Sequence, residues 1–312
     1  MKDDALRSFL GELIDDAGLF PPAALSLGDA LAAHERAAAS DAFWIVGRFV
    51  VPGSQLEALL AALDAAPDGF PVSAIVEARD GSPDGALRAL AAAAASPRLA
   101  LEALECPLAS VAGATADERL ERLLSAVDAA RFERAPALYV EVGPGAGHAP
   151  EGVLALRRAR ERAPRRALYA KLRCGGREPG AVPPASAVAG FIWEAARLGV
   201  PFKATAGLHH AVRYEDAATG APAHGFLNVI GAAVLAHARG LDRTTLEAIV
   251  AEADPARFAL DERRFAWNGI GADAREIGAA RQRFIHSYGS CSLDEPLDDL
   301  RALGILPGAL AR

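Results

Sequence analysis

Two lysines stand where a positive charge is costly. Of the 33 Lys and Arg residues in this 312-residue chain, only Lys2, Lys171 and Lys203 are lysine. Lys2 lies in the polar start of the chain, but Lys171 in "LYAKLRCGG" and Lys203 in "PFKATAGLHH" interrupt short apolar runs with the look of buried strands. Arginine serves elsewhere, so these two positions ask for an amine as well as a charge. A neutral amine attacks a carbonyl to form a Schiff base, which a guanidinium that never deprotonates cannot do. If the two lysines face each other from adjacent strands, about 4.8 Å apart, repulsion and desolvation both lower a lysine pKa. Lys171 is then the nucleophile and Lys203 the charge that depresses it. The competing reading is an interior ion network in which Glu141 simply pairs Lys171, since buried charges are normally paired.

The elements that must position these residues are visible as an alternation. Short apolar runs at 15–22, 42–52, 71–78, 99–108, 137–145, 167–176 and 200–210 are each followed by an Ala/Leu/Arg helical pattern, a βα repeat of about 30 residues. Such a repeat argues a parallel sheet with crossover helices. Eight units over this length make a (β/α)8 TIM barrel. We expect one α/β domain over 1–312, with the barrel at about 13–286, an elaborated loop after strand seven and a C-terminal extension at 287–312. Strand eight is expected at 263–269, "RRFAWNG", with "DAREIGAARQRF" as the helix after it; "GFLNVIGA" is the alternative. Ser26 and the Thr before "ADERLERLLSAVDAA" are read as helix N-caps. An open doubly wound sheet is the second choice, without a GxGxxG or P-loop to support it.

Chemistry in such a barrel sits at the C-terminal ends of the strands. Arg48 belongs to strand two, Glu77 to strand three, Glu102 and Glu105 to strand four, Glu141 and Tyr139 to strand five. Lys171 and Arg173 share a face of strand six, and Lys203 and Thr205 a face of strand seven, because side chains alternate with period two. Glu141 and Glu105 are read as proton carriers. Arg48, Arg173, Thr205, Gly207, His209, His210 and His224 are read as holding an anionic substrate, with Gly175 and Gly176 of "CGG" offering backbone N–H groups to an anion. Arg48 lies near the functional end and is read as a clamp, against a barrel-floor ion pair. Cys291 with His286 is a conceivable nucleophile pair.

At these residues the sequence resembles the Schiff-base (class I) aldolases of the deoxyribose-phosphate aldolase type. "KLRCGG" from Lys171 and "KATAGLHH" from Lys203 stand where that family carries lysines on strands six and seven, and their 32-residue separation suits one βα step. "LRCGG" lacks the family's Ser/Thr pair, and "RRFAWNGIGA" lacks its small hydroxyl-rich phosphate loop. The chain also resembles an uncharacterised bacterial family. The aldolase resemblance implies a lyase that makes or breaks a C–C bond beside a carbonyl through Lys171, without a cofactor. Two alternatives stand beside it. One is a metal-dependent lyase, isomerase or hydrolase using His209, His210 and His224; the other is a non-catalytic ligand-binding barrel.

Composition narrows the partners. Net charge is −7 with pI about 5.6, and no basic face is evident, which argues against nucleic acid. Hydrophobic residues make up 52 %, enough for a full core. No signal peptide, transit peptide or membrane-length apolar run is read. Cys106, Cys174 and Cys291 are scattered without CxxC spacing, which suggests a reducing cytoplasm. A small anionic molecule is the expected partner; self-association is left open.

Overall fold

In the computed structural model, which describes residues 4–63, 68–143, 149–176, 180–216 and 220–307, eight parallel strands close into a barrel. They are β1 (Ile14–Asp16), β2 (Val46–Pro52), β3 (Phe70–Ile75), β4 (Leu99–Pro107), β5 (Ala137–Glu141), β6 (Leu168–Arg173), β7 (Phe202–Thr205) and β8 (Ile285–Ser290). Each pairs with its neighbours in chain order, and β1 closes the ring against β8. The helices are α1 (Ala5–Leu10), α2 (Leu27–Ala38), α3 (Leu56–Ala62), α4 (Asp84–Ala93), α5 (Ala116–Ala130), α6 (Ala149–Arg162), α7 (Ala185–Leu198), α8 (Phe226–Arg239), α9 (Arg243–Ala251), α10 (Ala274–Arg283) and α11 (Asp294–Ala302). The fold is a (β/α)8 TIM barrel.

Local chemistry accounts for the helix starts. The Ser26 side chain accepts from the Asp29 N–H, and Thr115 from Glu118, as their N-cap reading requires. Asp273 and Glu276 form a full capping box at α10. Alternation along the strands divides the residues between two environments. Val72, Ala74, Leu104, Leu138, Val140, Ala170, Leu172, Phe202 and Ala204 are buried in the layer between barrel and helices. Their neighbours Ser73, Glu105, Tyr139, Lys171 and Lys203 turn into the barrel. The interior, usually filled by branched apolar side chains, is here built from charge.

Strand eight is not where the sequence suggests it. Residues 263–269 contain Arg264–Trp267, the middle strand of a three-stranded antiparallel sheet with Phe258–Leu260 and Ile270–Asp273 outside the barrel. Asn268 and Gly269 both have positive φ, 46° and 85°, the two-residue turn that folds a chain back on itself rather than across to a parallel neighbour. "GFLNVIGA" begins α8 and is not a strand. The eighth strand is "IHSYGS", so residues 287–290 belong to the barrel and α10 precedes the strand it was expected to follow. The insertion between β7 and β8 holds α8, α9, that sheet, and a hairpin of Tyr214–Asp216 with Ala221–Ala223. Strand one is also shorter than expected, Ile14–Asp16 against 15–22.

Candidate active site

The register places Lys171 directly beside Lys203 on β6 and β7, and both are buried. They do not face each other bare. Glu105 of β4 reaches between them, with Oε2 2.8 Å from Lys171 Nζ and Oε1 2.6 Å from Lys203 Nζ. Lys203 also bonds Asp15 Oδ2 of β1 at 2.5 Å, and Lys171 lies 3.3 Å from Glu141 Oε2 of β5. Ser73 of β3 donates to Glu105 at 2.7 Å and Ser287 of β8 to Asp15 at 2.7 Å. The backbone N–H of Arg48, on β2, donates to the other Asp15 oxygen at 3.0 Å. One continuous polar network therefore takes a group from each of the eight strands.

The electrostatics follow from this pairing. Burial alone would push the Glu105 carboxyl up, but Lys171 and Lys203 together hold it well below the usual carboxylate range. Glu141 is likewise lowered against its burial, by Lys171 and by Arg173, whose Nε donates to Oε1 at 2.9 Å. Burial disfavours the Lys203 ammonium, yet Asp15 and Glu105 outweigh it and raise the pKa above the ordinary lysine value. From sequence, the two lysines stand against each other as unpaired like charges; the structure interposes carboxylates instead. Two carboxylates at hydrogen-bond distance outweigh one like charge, so Lys203 is a locked cation.

A cavity of about 320 Å3 opens on this network at the C-terminal end of the strands. One wall, on the β1 to β4 side, is largely apolar: Ala17, Phe20, Pro21, Val50, Ile75 and Pro107. The opposite wall carries Glu141, Lys171, Arg173, Gly176, Lys203, Thr205, Gly207 and His209, with Cys291 beyond β8. Gly175 and Gly207 let the loops after β6 and β7 touch. A Cβ on Gly175 would lie 2.8 Å from Gly207 Cα, and Gly207 has φ +73°. That contact shapes the rim, a role different from the anion cradle read for Gly175.

Several expected site residues lie elsewhere. Arg48 lines a separate cavity of about 820 Å3 beneath α2 and α3, with Glu12, His34, Phe70 and Glu102. Its guanidinium is 2.9 Å from Glu102 and 3.8 Å from Asp15, so it is the barrel-floor ion pair and not a clamp at the mouth. Glu77 accepts from the Ser54 backbone N–H in the loop after β3. The three histidines of the metal-dependent alternative diverge. His209 Nδ1 is 3.1 Å from Glu295, His210 Nδ1 is 3.1 Å from Asp299, and the buried His224 lies between Arg213 and the Pro183 carbonyl. Among the described residues no three such side chains converge as metal ligands. His286 is far from Cys291 along β8, hydrogen-bonded to Tyr139 Oη at 2.9 Å; the histidine beside Cys291 is His209, at 3.7 Å.

Asp15, Ser73 and Ser287 were missed in the sequence. Their signals are slight: a doubled Asp ending the short run "LIDD", and single hydroxyls inside "PVSAIV" and "IHSYGS". Asp16, one residue on, faces the other way and binds His34 at 2.9 Å.

Fold and site together define a TIM barrel with a polar cavity at the end where enzymes of this fold keep their chemistry. No known family model matches the chain and no curated protein matches it significantly, so the likeness to Schiff-base aldolases rests on the two lysine strands alone. Among the described residues no helix is long and apolar enough to cross a membrane.

Proposed function

We propose that this protein is a lyase of the Schiff-base aldolase type, acting on a small carbonyl compound through Lys171. The observation that carries this is the buried network Asp15–Lys203–Glu105–Lys171–Glu141, which lines the cavity with Glu105, Glu141 and both lysines. The two lysines divide the work. Lys203, locked between two carboxylates, keeps Glu105 anionic. Lys171, with one carboxylate at 2.8 Å and a second at 3.3 Å, is the less tightly paired of the two amines at the cavity. After it releases a proton it attacks the carbonyl carbon, the carbinolamine loses water, and an iminium results. That iminium carries one positive charge where the ammonium had been, so Glu105 and Glu141 stabilise it with the same carboxylates. A C–C bond beside the iminium carbon can then break, with its electron pair delocalised onto the nitrogen. The body of the substrate lies on the apolar wall. Arg173, with its side chain about half-exposed at the rim, is the cation that meets an anionic substituent, in competition with Glu141.

The test is reductive trapping. The protein is incubated with small aldehydes, ketones and 2-oxo acids, reduced with borohydride and mapped by mass spectrometry. An adduct on Lys171, absent in Lys171→Met, is expected. Lack of any adduct, or adducts on Lys2 alone, would sink the Schiff-base reading, and undiminished function in Lys171→Met/Lys203→Met would favour a non-catalytic barrel.

A further inference from the structure

We propose that His209, oriented by Glu295, is the catalytic base that removes and returns the proton on the carbon next to the Schiff base. The proposal rests on the Schiff-base reading of Lys171. It begins from what the neighbouring carboxylates cannot do. Glu105 Oε1 accepts from Lys203 and Ser73, and its Oε2 faces Lys171 at 2.8 Å. Glu141 gives Oε1 to Arg173 and sets Oε2 against Lys171. Every oxygen of both groups is committed to a donor, and both carboxyls are held below their ordinary pKa. They stabilise charge well, and for that reason they are poor bases.

His209 is placed differently. It follows β7, lines the cavity, and only 14 % of its side chain is exposed. Its Nδ1 lies 3.1 Å from Glu295 Oε2 on α11. A carboxylate can only accept, so this contact assigns the proton to Nδ1 and leaves the lone pair on Nε2, near which the weak thiol donor of Cys291 lies at 3.8 Å. Cys291 Sγ, 3.7 and 3.8 Å from the two ring nitrogens, packs beside the ring. Burial pushes the Cys291 thiol up, which keeps it a neutral packing partner. The next residue is unsuited to the role: His210 is bound to Asp299 and sits edge-on to Tyr214, 4.3 Å between centroids.

The step balances. His209 Nε2 takes the proton from the carbon adjacent to C=N. The C–H electron pair becomes a C=C bond, and the iminium π pair moves to nitrogen. A neutral enamine and an imidazolium result, the latter facing the Glu295 carboxylate. Return of the proton reverses each movement, with no oxidant, reductant or co-reactant required.

The experiment uses acetone and acetaldehyde as probes of the full-length protein in D2O, following loss of the methyl proton signal by NMR alongside borohydride trapping. Wild type is expected to trap on Lys171 and to exchange these protons faster than Lys171→Met. His209→Asn should keep the Lys171 adduct while exchange falls by roughly 10²- to 10⁴-fold. Glu295 is a positioning residue, so Glu295→Ala should slow exchange without loss of trapping, and Glu295→Asp should restore part of it. Exchange at the wild-type rate in His209→Asn overturns the proposal, as does trapping without exchange above the Lys171→Met level. Lack of trapping in wild type fells the Schiff-base reading first, and this proposal with it.

Discussion

Lys203→Met tests whether the buried network is held by compensation of charge. Methionine fills a similar volume, so the change removes the ammonium while leaving the packing nearly intact. Asp15 would keep Ser287, the Arg48 N–H and a guanidinium at 3.8 Å, and Glu105 would keep Lys171 and Ser73. Two almost fully buried carboxylates would nevertheless share one cation fewer. Breaking a buried pair by deleting one partner costs about 3–5 kcal/mol, a large share of the roughly 5–15 kcal/mol that holds a domain folded. Thermal unfolding at pH 7 should fall by roughly 10 °C. The deficit should shrink toward pH 5. Without Lys203, the Glu105 carboxyl loses one of the two ammonium groups that hold it down and titrates at higher pH, and protonation relieves the uncompensated charge. Lys203→Met/Glu105→Gln should be less destabilised than the sum of its single changes, because it removes the stranded charge as well. A loss under about 1 kcal/mol, the range of an exposed pair, or a deficit independent of pH, would refute this account.

Two further outcomes follow from the same geometry. Burial, Arg281 and Arg48 lower His286 to about 4 from an ordinary 6.5. Its contribution is therefore complete above pH 6.5 and is lost as pH falls toward 4, because the unfolded chain binds the proton first. The loss is about 3 kcal/mol by pH 4, and the unfolding free energy of wild type relative to His286→Gln, from urea titrations between pH 7.5 and 4, should fall by that amount. The Glu105 contribution has the same sign but begins only below its ordinary 4.5. Gly175→Ala should force the β6 and β7 loops apart, since its Cβ would fall 2.8 Å from backbone. Trapping on Lys171 should weaken more than thermal stability does, and equal loss of both would contradict a rim role.

The fold was legible wherever strands are apolar runs between helices. The lysines were legible because each breaks such a run, and the register that sets Lys171 beside Lys203 follows from period-two alternation. Strand eight was hidden because the positions it turns into the barrel include His286, Ser287 and Gly289, across an irregular register, which leave no apolar alternation. "RRFAW" drew attention instead, with aromatic residues that serve a peripheral hairpin. The cross-barrel pairings were illegible for a different reason. Asp15 and Lys203 are 188 residues apart and meet only because the barrel closes. Without that contact, two facing lysines suggest repulsion and a depressed pKa. With it, the sign at Lys203 reverses.

That reversal gives two separate reasons for lysine in a chain that otherwise uses arginine. At Lys203, 1 % exposed, the need is for a compact cation. One nitrogen meets carboxylate oxygens from β1 and β4 at 2.5 and 2.6 Å. A planar guanidinium, bulkier and built to grip one carboxylate bidentately, does not match that bridging geometry. At Lys171 the proposed function needs a nitrogen that can exchange a proton for carbon while keeping its charge. It sits where the network meets the cavity, with Glu105 on one side and Glu141 on the other. Both lysines line the cavity, so what separates them is charge pairing: Lys203 meets two carboxylates at 2.5 and 2.6 Å, whereas Lys171 meets one at 2.8 Å and a second at 3.3 Å.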